Sequence, residues 1–197
     1  ARHLPGKAER HSKRGNMLND ERRTVEESYT SATNSSNLRC EADRRTDVDV
    51  LIAAGCTPGI LGAALMRLHS EWDGCAKPRA MTETEARLLM GNIKTLPRVL
   101  TVLSDWAALR GLDAPMRLAQ AVIAHWLDST CHACHGRGHE VIPGTPSLGR
   151  KCKACHGSGK RKEPKGEAGR QMLNMMDEAV IVARTSMKKR LRQSMDV

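Results

Sequence analysis

Two short stretches of this chain repeat one another. Cys131-His132-Ala133-Cys134-His135-Gly136-Arg137-Gly138 and Cys152-Lys153-Ala154-Cys155-His156-Gly157-Ser158-Gly159 both read C-x-x-C-H-G-x-G, with 17 residues between the cysteine pairs. Two C-x-x-C pairs at this distance have the spacing of a tetrahedral four-thiolate zinc site. Each pair forms a tight knuckle whose two sulfurs converge. The glycines that follow accept positive φ and let backbone N–H groups turn toward the thiolates. The pattern therefore predicts one zinc ion held by Cys131, Cys134, Cys152 and Cys155. Such a site has no open coordination position for water, so its work is structural.

Other chemistries use the same letters. C-x-x-C-H is also the attachment motif of c-type haem, but attachment needs an exported protein, and the G-x-G after each histidine fits a knuckle better. A redox C-x-x-C sits at a helix start beside a parallel sheet, and no run of alternating strand residues supplies one. His132, His135, His139 and His156 could each replace a thiolate; with four cysteines matched, they read as surface or phosphate-contacting residues. Cys40, Cys56 and Cys75 lack a pairing pattern and are expected as plain thiols. No G-x-S-x-G, P-loop or H-E-x-x-H is present, so the chain is not expected to be an enzyme.

Positive charge gathers around the knuckles. Between positions 131 and 165, Arg137, Arg150, Lys151, Lys153, Lys160, Arg161, Lys162 and Lys165 face only Glu140 and Glu163. The whole chain has 32 Lys and Arg against 22 Asp and Glu, a formal charge of +10. A zinc ion with four thiolates removes two charges and leaves about +8. A rigid basic hairpin can contact phosphates and reach base edges from the loop over 139–151. The expected DNA contacts are Arg137, His139, Arg150, Lys151, Lys153, Lys160, Arg161 and Lys162. With no Phe, one Tyr and three Trp, the chain has few platforms for stacking unpaired bases, so duplex DNA is the expected nucleic acid.

The elements that must position this module read as helices. Residues 1–45 are polar, charged and without apolar periodicity, and are expected as a disordered basic tail. A helical domain is expected over 46–197, with the zinc module at 129–162. Thr46 with Asp49, and Thr82 with Glu85, form capping boxes. Thr57-Pro58 is read as the start of a helix that carries Ile60, Leu61, Ala64, Leu65 and Leu68. Pro97 opens another helix, Asp113 caps the next, and Met172 to Ala183 belong to a long final helix with a basic end. The turns at Gly55 and Gly111 are candidate helix-turn-helix elbows, although the helices after them are poor in base-reading side chains. The fold class is thus mainly α: a helical domain with an inserted four-cysteine knuckle hairpin and a long C-terminal helix. No stretch approaches the roughly 20 apolar residues of a membrane helix. The opening segment is polar, so the reading is a cytoplasmic protein with no membrane partner.

The C-x-x-C-H-G-x-G repeat resembles the cysteine-rich domain of DnaJ-type chaperones, which carries four copies and follows an H-P-D signature. Here there are two copies and no H-P-D. The order of motifs after residue 45 gives a wider resemblance: Thr46-Asp47-Val48, the turn Ala53-Ala54-Gly55, the small-residue run Gly62-Ala63-Ala64, a helical block, two knuckles and a final helix. This layout resembles the late-gene antitermination protein Q of lambda-type phages, with a shorter stretch between the knuckles and a longer basic tail. The resemblance implies binding to duplex DNA beside a late promoter. It also implies capture of paused bacterial RNA polymerase with its sigma factor, and read-through of terminators in the host cytoplasm. A zinc-stabilised protein-binding adaptor of DnaJ type and a plain DNA-binding regulator are the alternatives.

Overall fold

The computed structural model describes residues 23–41, 45–77, 81–141 and 148–193. The chain divides into a smaller compact unit, residues 1–56 with 186–197, and a larger one, residues 57–185. Among the described residues there are seven helices and two short strands, and no helix is long and apolar enough to cross a membrane.

The smaller unit contains α1 (Val25–Thr33) and α2 (Asp47–Gly55), which pack together. Helix α1 lies inside the stretch for which a disordered tail is expected. Its start is a complete capping box: Thr24 Oγ1 accepts from the Glu27 N–H at 3.2 Å, and Glu27 Oε2 accepts from the Thr24 N–H at 2.8 Å. Only Tyr29 and Ala32 are buried on it, a face too narrow to show as apolar periodicity. The other residues of that stretch placed at 1–22 and 42–44 lie outside the described residues. Helix α2 begins where its capping pair indicates, with Asp49 accepting from both the N–H and the hydroxyl of Thr46 at 2.7 and 2.9 Å. It buries Val50, Ala53 and Ala54 and ends at Gly55. Arg45 donates to the carbonyl of Leu191 at 2.9 Å and so ties the start of α2 to the last helical turns of this unit.

The larger unit begins with α3 (Leu61–Asp73), three residues later than the Thr57-Pro58 signal. Gly59 takes a left-handed conformation, φ +72°, which a helix cannot contain, so helical geometry starts after it. The boundary between the two units falls in this same turn. Helices α4 (Glu83–Gly91), α5 (Leu96–Leu109) and α6 (Pro115–Leu127) follow. The Thr82–Glu85 capping box is present as expected. Asp113 does not cap α6; Ala114, left-handed at φ 47°, takes the position ahead of Pro115. Strands β1 (His139–Val141) and β2 (Leu148–Lys151) pair antiparallel, and α7 (Gly166–Gln193) closes the chain.

Leu65, Leu68 and Trp72 of α3 meet Val99 and Leu103 of α5, Val122 and Ile123 of α6, and Met172 and Met176 of α7 in one core. Each large side chain in it contributes about 1.5–3 kcal/mol by leaving water. Helix α6 buries Leu118, Ala119, Val122, Ile123 and Leu127, so a broad apolar face packs it into the core. Gly62 marks the closest approach of α3 to α7: a Cβ there would sit 2.2 Å from the carbonyl oxygen of Ala179 and 2.7 Å from the Cβ of Ala183. All three tryptophans belong to this helical body. Trp72 is buried, Trp106 lies under the Arg110 guanidinium at 4.4 Å, and Trp126 donates to Asp177 at 3.0 Å.

Candidate metal centre and basic hairpin

The four knuckle cysteines come together as their spacing requires. All four Sγ atoms lie within 4.8 Å of one another, and all four residues are buried. Cys131 stands 4.0 Å from Cys152, and Cys134 stands 3.7 Å from Cys155. A tetrahedral ion with metal–sulfur bonds of about 2.3 Å needs sulfurs about 3.8 Å apart. The donor set therefore fits one metal ion. None of the four is in a disulfide.

The two knuckles are related by an internal repeat of 21 residues. Each first cysteine donates its N–H to the last glycine of the other knuckle, Cys131 to Gly159 at 2.9 Å and Cys152 to Gly138 at 2.8 Å. Each last glycine in turn donates to the second sulfur of its own knuckle: Gly138 to Cys134 and Gly159 to Cys155, both at 3.3 Å. Those two N–H bonds are the ones the glycine pattern predicts. The chain reaches them through consecutive left-handed residues, His135 and Gly136 in one copy and His156 and Gly157 in the other.

Burial is the largest influence on both inner thiols. It pushes Cys134 up to about 11 against the Gly138 N–H. At Cys155 the N–H groups of Gly159 and Gly157, with Cys134 and Cys152, outweigh burial and bring the thiol down to about 6. The equivalent positions shift in opposite directions because ionising one sulfur opposes ionising its neighbour 3.7 Å away. The N–H donation common to both knuckles favours thiolate, the form a metal takes.

No histidine among the described residues completes this set. His135 and His156 are exposed. His132 is half-buried, with Nδ1 3.1 Å from the carbonyl of Met81, and so packs the first knuckle toward the residues ahead of α4. His139 is half-buried in β1 opposite Lys151. Cys40 and Cys56 are exposed thiols, and Cys75 is half-buried with its S–H on the carbonyl of Glu71 at 3.3 Å.

The basic residues separate into two groups. Arg137, Arg150, Lys151, Lys153, Lys160 and Lys162 are exposed. None has a carboxylate within ion-pair distance among the described residues. Arg161 is different. Its guanidinium donates to the carbonyls of Ala124 (3.0 Å) and Asp128, at the C-terminal end of α6. Its backbone N–H bonds the carbonyl of Ser129 at 2.8 Å. Arg161 thus fastens the knuckle module to α6, and its side chain is committed there rather than presented to a phosphate. The hairpin tip, residues 142–147, lies outside the described residues.

No family model, curated protein or solved structure matches this chain. The chemistry of the site is therefore read from its own residues.

Proposed function

We propose that this protein is a zinc-stabilised, duplex-DNA-binding transcription factor of the Q antiterminator type, working in a bacterial cytoplasm. The observation that carries the reading is the pairing of two features in one module. A closed four-sulfur centre holds the hairpin rigid, and Arg137, Arg150, Lys151, Lys153, Lys160 and Lys162 stand exposed on it with no carboxylate within ion-pair distance among the described residues. Zinc is the ion such an all-thiolate tetrahedral site selects when no redox work is asked of it. Phosphates would replace the missing counter-charges, and the rigidity of the knuckles lowers the ordering cost of contact.

The antitermination role rests on the motif order from Thr46 to the final helix. In it, the hairpin engages DNA near a late promoter while helical surfaces engage paused RNA polymerase with its sigma factor. The helical body has apolar residues in water that suit a protein contact, with Leu88 on α4 and Leu109 on α5 at 68 % and 89 % exposure. An adaptor of DnaJ type would use such faces and not the hairpin.

The test is a terminator read-through assay with purified polymerase, the cognate promoter and zinc-loaded protein, alongside DNA retention over a salt series. Read-through by the native chain, lost in Cys152→Ser, is the expected result, with retention that falls steeply as salt rises. DNA binding without read-through would leave a plain regulator. Absence of retention at any salt would leave the adaptor.

A further inference from the structure

The larger unit also holds a groove that the metal centre does not use. It encloses about 650 Å³ between α4, α5, α6 and the segment that follows the second knuckle. Its lining on α6 runs through Arg117, Gln120, Ala121 and Ala124, spaced by three and four residues and so on one helical face, with Asp128 just past the helix end. Helix α4 contributes Glu83, Ala86, Arg87 and Met90 at the same spacing. The lining along α6 from Arg117 to His125 rises about 12 Å, the length of roughly two helical turns of a bound segment.

The apolar surface it offers comes from the half-buried Met90, Leu96, Leu100 and Ala121, and the rim is cationic. The rim acids are already engaged: Glu83 accepts from Arg87 at 2.7 Å, and Asp128 accepts from the Thr130 N–H at 2.9 Å. Arg117, Lys162 and Lys165 have no carboxylate within ion-pair distance among the described residues. The side carrying Lys162 and Lys165 is held by the knuckle module through the Thr130–Lys160 bridge and the bonds of Arg161 to Ala124, Asp128 and Ser129.

We propose that this groove docks an acidic amphipathic helix of a partner protein. Its apolar residues, at spacings of three and four, lie on Met90 and Leu100, and its carboxylates meet Arg117, Lys162 and Lys165. This is recognition of an amphipathic helix in an apolar groove, with the rim charges selecting the sign of the partner. The metal centre then has a second task, since it fixes one wall of the groove. Apart from Lys162, which both readings use, the residues of the groove differ from the basic residues of the hairpin.

The experiment is fluorescence anisotropy of a labelled synthetic helix with Leu on one face and Glu on the other, titrated with the full zinc-loaded chain. Two control peptides replace Glu by Lys or Leu by Ser. Saturable binding of the Glu/Leu peptide alone is expected. It should weaken by about tenfold or more in Arg117→Glu and in Lys162→Glu, the loss expected when an attractive rim pair becomes repulsive. A double hairpin variant, Arg137→Glu with Lys153→Glu, should leave it unchanged. Circular dichroism of each variant separates lost binding from lost folding. No saturable binding, equal binding of the Ser control, or a loss confined to the hairpin variant would overturn the proposal.

Discussion

Gly138 and Gly157, one from each knuckle, approach so closely that a Cβ on Gly138 would lie 2.4 Å from the carbonyl oxygen of Gly157. The repeat supplies the mirror contact, with Gly159 held 2.4 Å in the same sense from the carbonyl of Gly136. Both last glycines have φ near +75°, at +75° and +72°. An alanine at either position therefore meets a backbone oxygen that cannot swing away, and also takes a left-handed conformation that costs about 1–2 kcal/mol by itself.

Gly138→Ala and Gly159→Ala are each expected to weaken zinc binding by at least about tenfold, the equivalent of one such backbone penalty. Competition with a chromophoric chelator measures this. Gly91→Ala is the control: a Cβ there has nothing within 4 Å, and in a helix it should be neutral or gain about 0.5–1 kcal/mol. Unchanged zinc affinity in both knuckle variants would mean that the close crossing of the two knuckles is not needed for the site.

Metal removal should loosen the knuckles without unfolding the helical body. The cysteines cluster by themselves, while Leu65, Leu103, Ile123, Met172 and the rest of the core form a separate cluster with no sulfur ligand in it. Under a strong chelator, amide exchange is expected to speed up at Cys131, Cys152 and Arg161, whose N–H groups bond across the module. Far-ultraviolet dichroism should keep most of its helical signal. Loss of that signal together with the metal would show that the centre is part of the folding unit of the helices.

Parts of this arrangement were legible because a local rule dictates them. Four cysteines at metal spacing followed by G-x-G imply both the sulfur cluster and its N–H donors, and both are there. Thr82 with Glu85 and Thr46 with Asp49 mark helix starts through contacts three residues apart. What could not be read depends on partners far along the chain. Nothing in a basic run distinguishes Arg161 from Lys160 or Lys162 until α6 places its terminal carbonyls beside it, 33 residues away. Helix α1 hides because it buries only Tyr29 and Ala32, and α3 starts late because Gly59 overrides the Thr-Pro signal before it. The groove draws on residues of five segments, and Arg117 has no motif of its own.

Glu71 should make stability pH-dependent. Its carboxylate accepts the Thr95 N–H at 2.9 Å and the Thr95 hydroxyl at 2.7 Å, and so caps α5 from α3; Arg67 adds a third contact at 3.1 Å. Burial by itself raises this acid, but the bonds from Thr95 and Arg67 outweigh it and hold the group below its ordinary value of 4.5. A carboxylate depressed in the folded state stabilises above its unfolded pKa, and that stability is lost as pH falls through the lower folded value. Glu71→Ala is expected to cost about 0.5–2 kcal/mol at pH 7, the range for a lost helix cap. The difference from the native chain should shrink as pH drops below 4.5. Urea unfolding at pH 7 and near pH 3 tests both parts, and an equal difference at the two values would remove the ionised carboxylate from the account.

Gly62 sets how near α3 and α7 can stand. A Cβ at this position would reach 2.2 Å from the Ala179 carbonyl oxygen, a backbone atom inside α7, and 2.7 Å from the Ala183 side chain. Neither can retreat by a rotamer change, so the helices themselves must separate. Separation would open contacts around Leu65 and Met176, both fully buried in the core between them. Gly62→Ala is therefore expected to destabilise the larger unit by about 1–3 kcal/mol, the usual penalty of an overpacked core. Gly62→Val should cost more, since its branched side chain adds bulk on a backbone that already conflicts. Helix propensity argues the other way, because alanine in place of glycine gains up to about 1 kcal/mol in a helix interior and less in the first turn, where Gly62 lies. The sign of the measured change in the urea midpoint thus decides between close packing and propensity. A midpoint raised by Gly62→Ala would mean that α3 and α7 are farther apart in solution than this contact requires.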